Sequence, residues 1–440
     1  MINKVITRFP PSPTGFLHIG RARTALFNYL FAKKNSGKMI FRFEDTDKAR
    51  SKKEFETIMS DSLRWLGLSW DNDVIERQSE RTDLYKKYLN KLIEDGKAYI
   101  SKEKIEEGEK AGQENEVVRF KNPNIKITFT DLIRGDITID TTDLEDFIIA
   151  RNINEPLYHL AVVVDDFEMG VTHIIRGEDG ISNTPRQILI QRGIGASQPT
   201  YAHLPLILAP DRTKLSGRHG AVSVTEYKEK GCLPEALTNY LALLGWNPGT
   251  DQEIFSMDEL IQTFDISKIQ KAGAIFNEEK LKWFNKQYIT KMSIEEFKKA
   301  AAGFLPKDVS EKLFPLIKEK ISYFGEIKPL LDGELSFTNP LTTYDKENLK
   351  WKQEPDLVNT KTYLKNIIEI ISNLDEKVFS KESVKEAIWP IAEKTGKGNV
   401  LWPMRYSLSG KDKSPDPFTI SEILGKEETL KRLNFAYELL

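Results

Sequence analysis

The apolar positions of this chain change period several times, and each change predicts an element. Val5, Ile6 and Phe9 make a short apolar run, Pro10, Pro11, Ser12, Pro13 and Gly15 break it, and Ala22, Ala25, Leu26, Tyr29 and Leu30 then share one helical face. Residues 39–47 predict a second strand, in which Met39, Phe41 and Phe43 alternate with Ile40 and Arg42 before Glu44, Asp45 and Asp47 close it. Two helical faces follow: Phe55, Ile58, Met59, Ser62 and Leu66, ending near Gly67, and Leu84, Tyr85, Tyr88, Leu89 and Leu92, ending at Gly96. Short β-like runs at 117–120, 125–129 and 136–140 are separated by Pro, Asn and Gly. LYHLAVVVDD (157–166) predicts a strand buried on both faces, and 171–179 predicts another, ending in Arg176, Glu178 and Asp179. Thr184-Pro185 opens a helix, 201–208 reads as the next strand, and from 233 the pattern is helical, with runs at 233–246, 311–323, 361–373, 381–394 and 420–438 and a loop from Gly410 to Pro417.

Strands alternating with helices up to residue 208, then helices alone, predict an α/β chain with a Rossmann-like parallel sheet, an α+β insertion and an all-helical C-terminal region. The expected division is 1–75 and 157–209 for the two halves of the nucleotide fold, 76–156 for the insertion, 210–290 for a loop and helical domain, and 291–440 for the helical region, subdivided near 360. A length of 440 residues suits two to four domains. The net charge of −2 excludes a uniformly basic nucleic-acid binder, so RNA contacts would rest on local cations. Lys268, Lys271, Lys280, Lys282, Lys286, Lys291, Lys298 and Lys299 suit either a solvated face or an RNA; Trp351, Trp389 and Trp402 read as helix-packing residues. The single cysteine, Cys232, excludes a disulfide framework and a Cys-rich zinc site and fits a reducing compartment. Neither a signal-peptide pattern nor an apolar run of membrane length is present, so a cytoplasmic protein without a membrane partner is expected.

A strand, a Pro/Gly turn and a helix at the start of an α/β chain form a place for a phosphate, because the first helical N–H groups and the helix dipole both favour an anion. His18 sits in that turn, able to donate to a phosphate oxygen. The turn is not GxxxxGK[ST], and GxGxxG is missing, which removes the ordinary P-loop and a dinucleotide dehydrogenase. Glu44, at the end of a parallel strand, can meet a substrate ammonium; the same acidic group can instead cap the next helix through Asp47 or Ser51. The loop 209–222, rich in Gly and basic residues, reads as a surface loop or as a clamp on phosphates.

PSPTGFLHIG (11–20) resembles the "HIGH" region of class I aminoacyl-tRNA synthetases in its glutamyl form. EDTD (44–47) resembles the same branch, and KLSGR (214–218) followed by HGAVSV resembles the mobile "KMSKS" loop. One departure stands out: Gly217 occupies the place of the second Lys of that loop. The resemblance spans the chain and is most specific at 5–47, 157–187 and 205–246. It implies a glutamate–tRNA ligase that uses ATP with Mg2+ as a substrate complex. Arg8, Ser12, Tyr158 and Arg176 would hold glutamate, with Glu44 on its α-amino group. Pro11, Ser12, His18, Gly20, Arg21, Asp179, Lys214, Leu215, Ser216, Gly217 and Arg218 would lie at ATP, with His18, Lys214 and Arg218 catalytic. The insertion would bind the tRNA acceptor end; relatives with zinc there use Cys and His, which 99–116 lack, so no zinc is expected. A monomer is expected, with tRNA(Glu) as partner. Whether tRNA(Gln) is also charged stays open, because 344–356, where the family carries a discriminating Arg, has Lys350 and Lys352 but no Arg. A glutaminyl-tRNA synthetase would need a β-barrel in place of the predicted helices. A catalytically idle tRNA-binding paralogue rests on Gly217 alone. His159, His173 and His203 are read as structural.

Overall fold

The computed structural model describes residues 4–104, 114–220, 222–341, 343 and 345–440, which cluster into two compact units meeting in sequence at Tyr288/Ile289. The first unit begins with β1 (Ile6–Phe9), α1 (Ile19–Lys34), β2 (Lys38–Phe43), α2 (Lys53–Trp65), β3 (Glu76–Arg77) and α3 (Thr82–Glu94). It continues with β4 (Ala98–Lys104), β5 (Glu114–Phe120), β6 (Lys126–Asp131), β7 (Gly135–Asp140), β8 (Phe147–Asn152) and β9 (Glu155–Pro156). Then come α4 (Tyr158–Glu168), β10 (His173–Gly177), α5 (Thr184–Ile194), β11 (Thr200–Leu204), β12 (Ile207–Leu208), α6 (Val224–Glu229), α7 (Pro234–Leu243), α8 (Met257–Thr263), β13 (Ala274–Ile275) and α9 (Glu278–Lys291).

β1, β2 and β3 pair in parallel, as do β10, β11 and β6, with β7 antiparallel on the outer edge of β6. Thr172 joins the two sets, its N–H donating to Ile6 O at 2.9 Å and its Oγ1 accepting from Ile6 N at 2.8 Å. The strands therefore wind outward in opposite directions from a seam between β1 and β10, where a parallel sheet opens its ligand crevice. Alternation on β1 places helices on both faces. Thr7 Oγ1 donates to Asn28 O on α1, whereas Arg8 turns the other way to Asp166 on α4. Asn28, fully buried, also donates to Ile175 O at 2.9 Å and so ties α1 to β10. The stretch 76–156 divides between two sheets: β4, β5, β8 and β9 form an antiparallel one, while β6 and β7 extend the main sheet. Phe120, Phe147, Phe129, Leu160, Ile188 and Tyr201 from these elements share one core.

Three expectations are corrected. Residues 157–166 form most of helix α4 rather than a strand; Leu160–Val164 are buried all round, and an apolar run without period fits a fully buried helix as well as a buried strand. The run 201–208 is two strands, separated at Pro205-Leu206. Neither Asp47 nor Ser51 caps α2, whose N-cap is Lys52 without a side-chain bond; Asp47 instead accepts from Arg50 Nε at 2.6 Å.

The second unit is helical: α10 (Ile294–Ala300), α11 (Phe314–Lys320), α12 (Ile327–Asp332), α13 (Leu357–Ser372), α14 (Lys381–Thr395), α15 (Lys397–Ser409) and α16 (Pro417–Leu439), the last interrupted at Gly425. The sequence pattern does not announce α15, which carries Pro403 inside it. Buried Arg432 knits this bundle by donating to the carbonyls of Phe337 and Leu408, each at 2.7 Å. Trp402 Nε1 donates to Asn348 O at 2.9 Å, and its ring lies 5.5 Å from that of Trp351, so both serve helix packing.

Candidate active site

A cavity of about 670 Å³ opens at the carboxyl ends of β1 and β10, a size suited to small-molecule ligands. Its walls come from the turn after β1, the start of α1, the ends of β2 and β10, the segment after β11 and the loop around Lys214.

At one end the floor is ionic. Arg8 Nε lies 3.3 Å from Asp166 Oδ2, Arg42 Nη1 lies 2.6 Å from Asp166 Oδ1, and Arg42 Nη2 lies 3.0 Å from Glu44 Oε1. The neighbouring Asp165 accepts from Arg81 Nε at 2.8 Å, Gln78 Nε2 at 2.9 Å and the Tyr85 hydroxyl. Arg42 is fully buried, and charges taken from water at such cost persist only when paired. Burial alone would raise the Asp166 carboxyl, yet Arg42 and Arg8 outweigh it and hold it below the usual carboxylate range. Burial wins at Glu44 and pushes its carboxyl up despite Arg42 and Arg8. A cation arriving in the cavity would pull that carboxyl back down. Above this floor lie Tyr158, the first residue of α4, and Arg176, at the end of β10. The Arg176 guanidinium donates to neutral groups only: His203 Nε2, Gln187 Oε1, Gly180 O and Thr184 Oγ1.

The other end is built for anions. His18 is the N-cap of α1, and its Nδ1 accepts from Gly20 N at 3.0 Å. Burial, followed by Arg21 and Lys214, lowers its pKa, so the ring is neutral near pH 7 with its proton on Nε2. Backbone pairing of His18 with Ser223 fixes the far end of the 209–222 loop against this turn. Within the loop, Leu215 N donates to Ile207 O at 3.1 Å, and Lys214 Nζ reaches to 3.9 Å from Asp179 Oδ2 across the mouth. Both of those side chains are about two-thirds exposed, so the pair contributes roughly 0–1 kcal/mol.

A family model described as "tRNA synthetases class I (E and Q), catalytic domain" matches residues 4–113 and 100–283, and one described as "Anticodon binding domain" matches 274–437. A glutamate–tRNA ligase of Caldicellulosiruptor saccharolyticus is 41% identical, with 98% of this chain and 99% of that protein covered. The chain belongs to the class I glutamyl-tRNA synthetase family. A glutamate–tRNA ligase of Aquifex aeolicus is likewise 41% identical, over 98% of each chain. The crystal structure of a glutamate tRNA ligase from Elizabethkingia meningosepticum, described as in complex with its amino acid, superposes with a TM-score of 0.87 at 35% identity, covering 99% of this chain and all of that one.

In this synthetase the cavity brings together Arg8, Pro11, Ser12, His18, Gly20, Arg21, Glu44, Tyr158, Arg176, Asp179 and Lys214 through Gly217. Arg218 is apart from them: its Nε donates to His219 Nε2 at 3.1 Å and its Nη2 to Thr213 Oγ1 at 3.0 Å, within the loop itself. Sequence reasoning missed Arg42, Asp165 and Asp166, which hold the floor. The signal was present, since an Arg inside a strand buried on both faces demands a buried counter-charge. It also passed over Gly180, where an added Cβ would lie 2.5 Å from Arg176 Nε, so the guanidinium packs where only glycine leaves room. Among the described residues no group of three His, Cys, Asp or Glu could hold a metal, and no helix is long and apolar enough to cross a membrane. Of the stretch 99–116, expected to lack zinc ligands, residues 105–113 lie outside the described residues.

Proposed function

We propose that this synthetase activates L-glutamate with ATP and Mg2+ and transfers the glutamyl group to the 3′ end of tRNA(Glu). The observation that carries the reading is the convergence of Arg8, Glu44 and Arg176 on one cavity whose opposite end presents His18 and Lys214. Free glutamate has two carboxylates and one ammonium, and forked guanidinium donors suit a carboxylate better than an amide. Arg8 and Arg176 would take the side-chain carboxylate with the Tyr158 hydroxyl, Glu44 would take the ammonium, and Ser12 would help hold the amino acid. The substrate's α-carboxylate oxygen then attacks the α-phosphorus in line, the bond to the β-phosphate breaks, and pyrophosphate leaves. The terminal ribose hydroxyl of tRNA next attacks the carbonyl and expels AMP. Neither step needs an enzyme nucleophile, so positioning and charge neutralisation carry the catalysis. The His18 Nε2–H, the α1 N-terminus at Gly20 and Arg21, and Lys214 with the 215–217 backbone would meet phosphate oxygens, with Asp179 near the ATP.

Two finer readings belong here. Residues 344–356 include Lys350 and Lys352 but no Arg, which favours charging of tRNA(Gln) as well. Gly217 supports the rival reading of an idle tRNA-binding paralogue. ATP–pyrophosphate exchange with tRNA present, followed by parallel glutamylation of purified tRNA(Glu) and tRNA(Gln), tests all three. Glutamate-dependent exchange is expected, with both tRNAs charged. Absence of exchange would leave the idle paralogue, and strict rejection of tRNA(Gln) would end the relaxed reading.

A further inference from the structure

Arg176 is a buried cation with neutral partners. A guanidinium has five N–H groups. Here Nε donates to His203 Nε2 at 3.1 Å, Nη1 to Gln187 Oε1 at 2.7 Å, and Nη2 to Gly180 O at 3.0 Å and Thr184 Oγ1 at 2.8 Å. One Nη1–H is left over, together with the whole positive charge. The identity of the group facing Nε is set one strand further out. In the parallel register Arg176 stands opposite His203, and Tyr201, two residues before His203, stands opposite Asp131 at the end of β6. Asp131 Oδ2 accepts from His203 N at 3.0 Å and meets His203 Nδ1 at 2.7 Å, while its Oδ1 accepts from the N–H groups of Ile133 and Arg134, both at 3.0 Å.

A carboxylate held by three backbone N–H groups stays ionised and can only accept. The His203 proton therefore sits on Nδ1, and the Nε2 lone pair faces Arg176 Nε–H; the other tautomer would set donor against donor. The remaining groups around the ring are Thr184 Oγ1 at 3.2 Å, Tyr201 stacked at 6.0 Å, Phe129, and Arg134, which donates to His203 O.

We propose that Asp131 and His203 are a positioning pair that aims Arg176 at the amino acid's side chain, and through it set the choice of a carboxylate over an amide. The proposal rests on the glutamate reading above. A neutral acceptor fixes the guanidinium without cancelling its charge, so the cancelling anion must come from the ligand. Glutamate supplies acceptor oxygens and a negative charge, whereas the amide of glutamine turns N–H donors toward N–H donors. Gln187 adds to the positioning, its Oε1 accepting from Arg176 Nη1 at 2.7 Å.

The test measures tRNA-dependent ATP–pyrophosphate exchange by the full-length wild type, His203→Phe, Asp131→Asn and His203→Gln. Glutamate and ATP are varied separately, and glutamine is added as a competitor. His203→Phe removes the acceptor. Asp131→Asn places an amide beside Nδ1 that can donate to it and favour the wrong tautomer. The KM for glutamate should rise on the order of 10²-fold in both. The KM for ATP should stay within about twofold, and glutamine should compete better relative to glutamate. His203→Gln, whose amide oxygen can accept the same N–H, should recover most of the loss. Unchanged glutamate KM in variants that melt like wild type would overturn the proposal, as would equal rises in both KM values without rescue. Should His203→Phe fail to fold, Asp131→Asn and His203→Gln decide the matter by the same readouts. A wild type with no glutamate-dependent exchange contradicts the functional reading instead; an active wild type with indifferent variants contradicts only the positioning pair.

Discussion

At one end of the cavity, proposed for the amino acid, Arg8, Arg42, Glu44 and Asp166 are locked together beneath the surface. At the other, proposed for the phosphates, Lys214 stands about two-thirds exposed and meets Asp179 only at 3.9 Å. The floor is held by charges that could not be buried singly, so its geometry is fixed before any ligand arrives. The rim is held by backbone bonds at its ends and by short local bonds among Asp211, Thr213, Ser216, Arg218 and His219. Selecting a small amino acid calls for donors that do not move, whereas following a triphosphate through pyrophosphate release calls for a cation free to reach. The two ends should accordingly respond to substitution in different ways.

The largest expected effect is at the floor. Asp166→Ala removes the anion shared by Arg8 and Arg42, taking from buried Arg8 its ion pair and leaving Arg42 with Glu44 and the more distant Asp165. Breaking a buried pair in this way costs about 3–5 kcal/mol. Denaturant unfolding should show that loss together with abolished glutamate activation. A change below about 1 kcal/mol would mean the floor is not held by charge.

Acidification should act next. Burial lowers the pKa of His18, His159, His173 and His203, that of His159 to about 4. The unfolded chain takes up protons near the ordinary histidine pKa while the folded rings stay neutral. Stability is therefore complete above pH ~6.5 and declines below it, for His159 by up to ~1.4 kcal/mol per pH unit down to about 4. Thermal melts at pH 7 and pH 5.5 should record the drop, and His159→Phe should reduce it. A melting temperature flat over that interval contradicts the burial argument.

The smallest effect is at the rim. An added Cβ at Gly217 meets nothing within 4 Å, and no left-handed backbone reserves the position for glycine. Gly217→Lys should fit without strain, leave the melting temperature unchanged and raise the exchange rate by up to about tenfold, about 1.4 kcal/mol of barrier. An equal or lower rate would show that the loop has settled on a different cation.

The strand, turn and first helix were legible in the sequence because their punctuation is local: prolines and Gly15 end β1, and the helical period begins at once after Gly20. The residues around the cavity were legible largely through motif resemblance. Their supports were not, because those partners are distant in sequence. Arg8 and Asp166 are separated by 158 residues, and His203 and Asp131 by 72. The misread segment, α4, shows the physical cost. In a strand Asp165 and Asp166 would point to opposite faces, whereas in a helix they diverge by about 100°. That divergence lets Asp165 serve Arg81 and Tyr85 while Asp166 serves Arg8 and Arg42. Arg218 shows a second kind of partner that residue order does not reveal. Its guanidinium donates to Thr213 and His219 of its own loop, outside the cavity lining.

The central claim is that two separate guanidiniums and one carboxylate converge on a free amino acid beside the phosphate site. A crystal structure of the protein soaked with L-glutamate and a non-hydrolysable ATP analogue tests it most directly. The account predicts the side-chain carboxylate between Arg8 and Arg176, the ammonium on Glu44 and the phosphates against His18. An amino acid bound outside this cavity, or one with its ammonium turned toward Arg176, would contradict it.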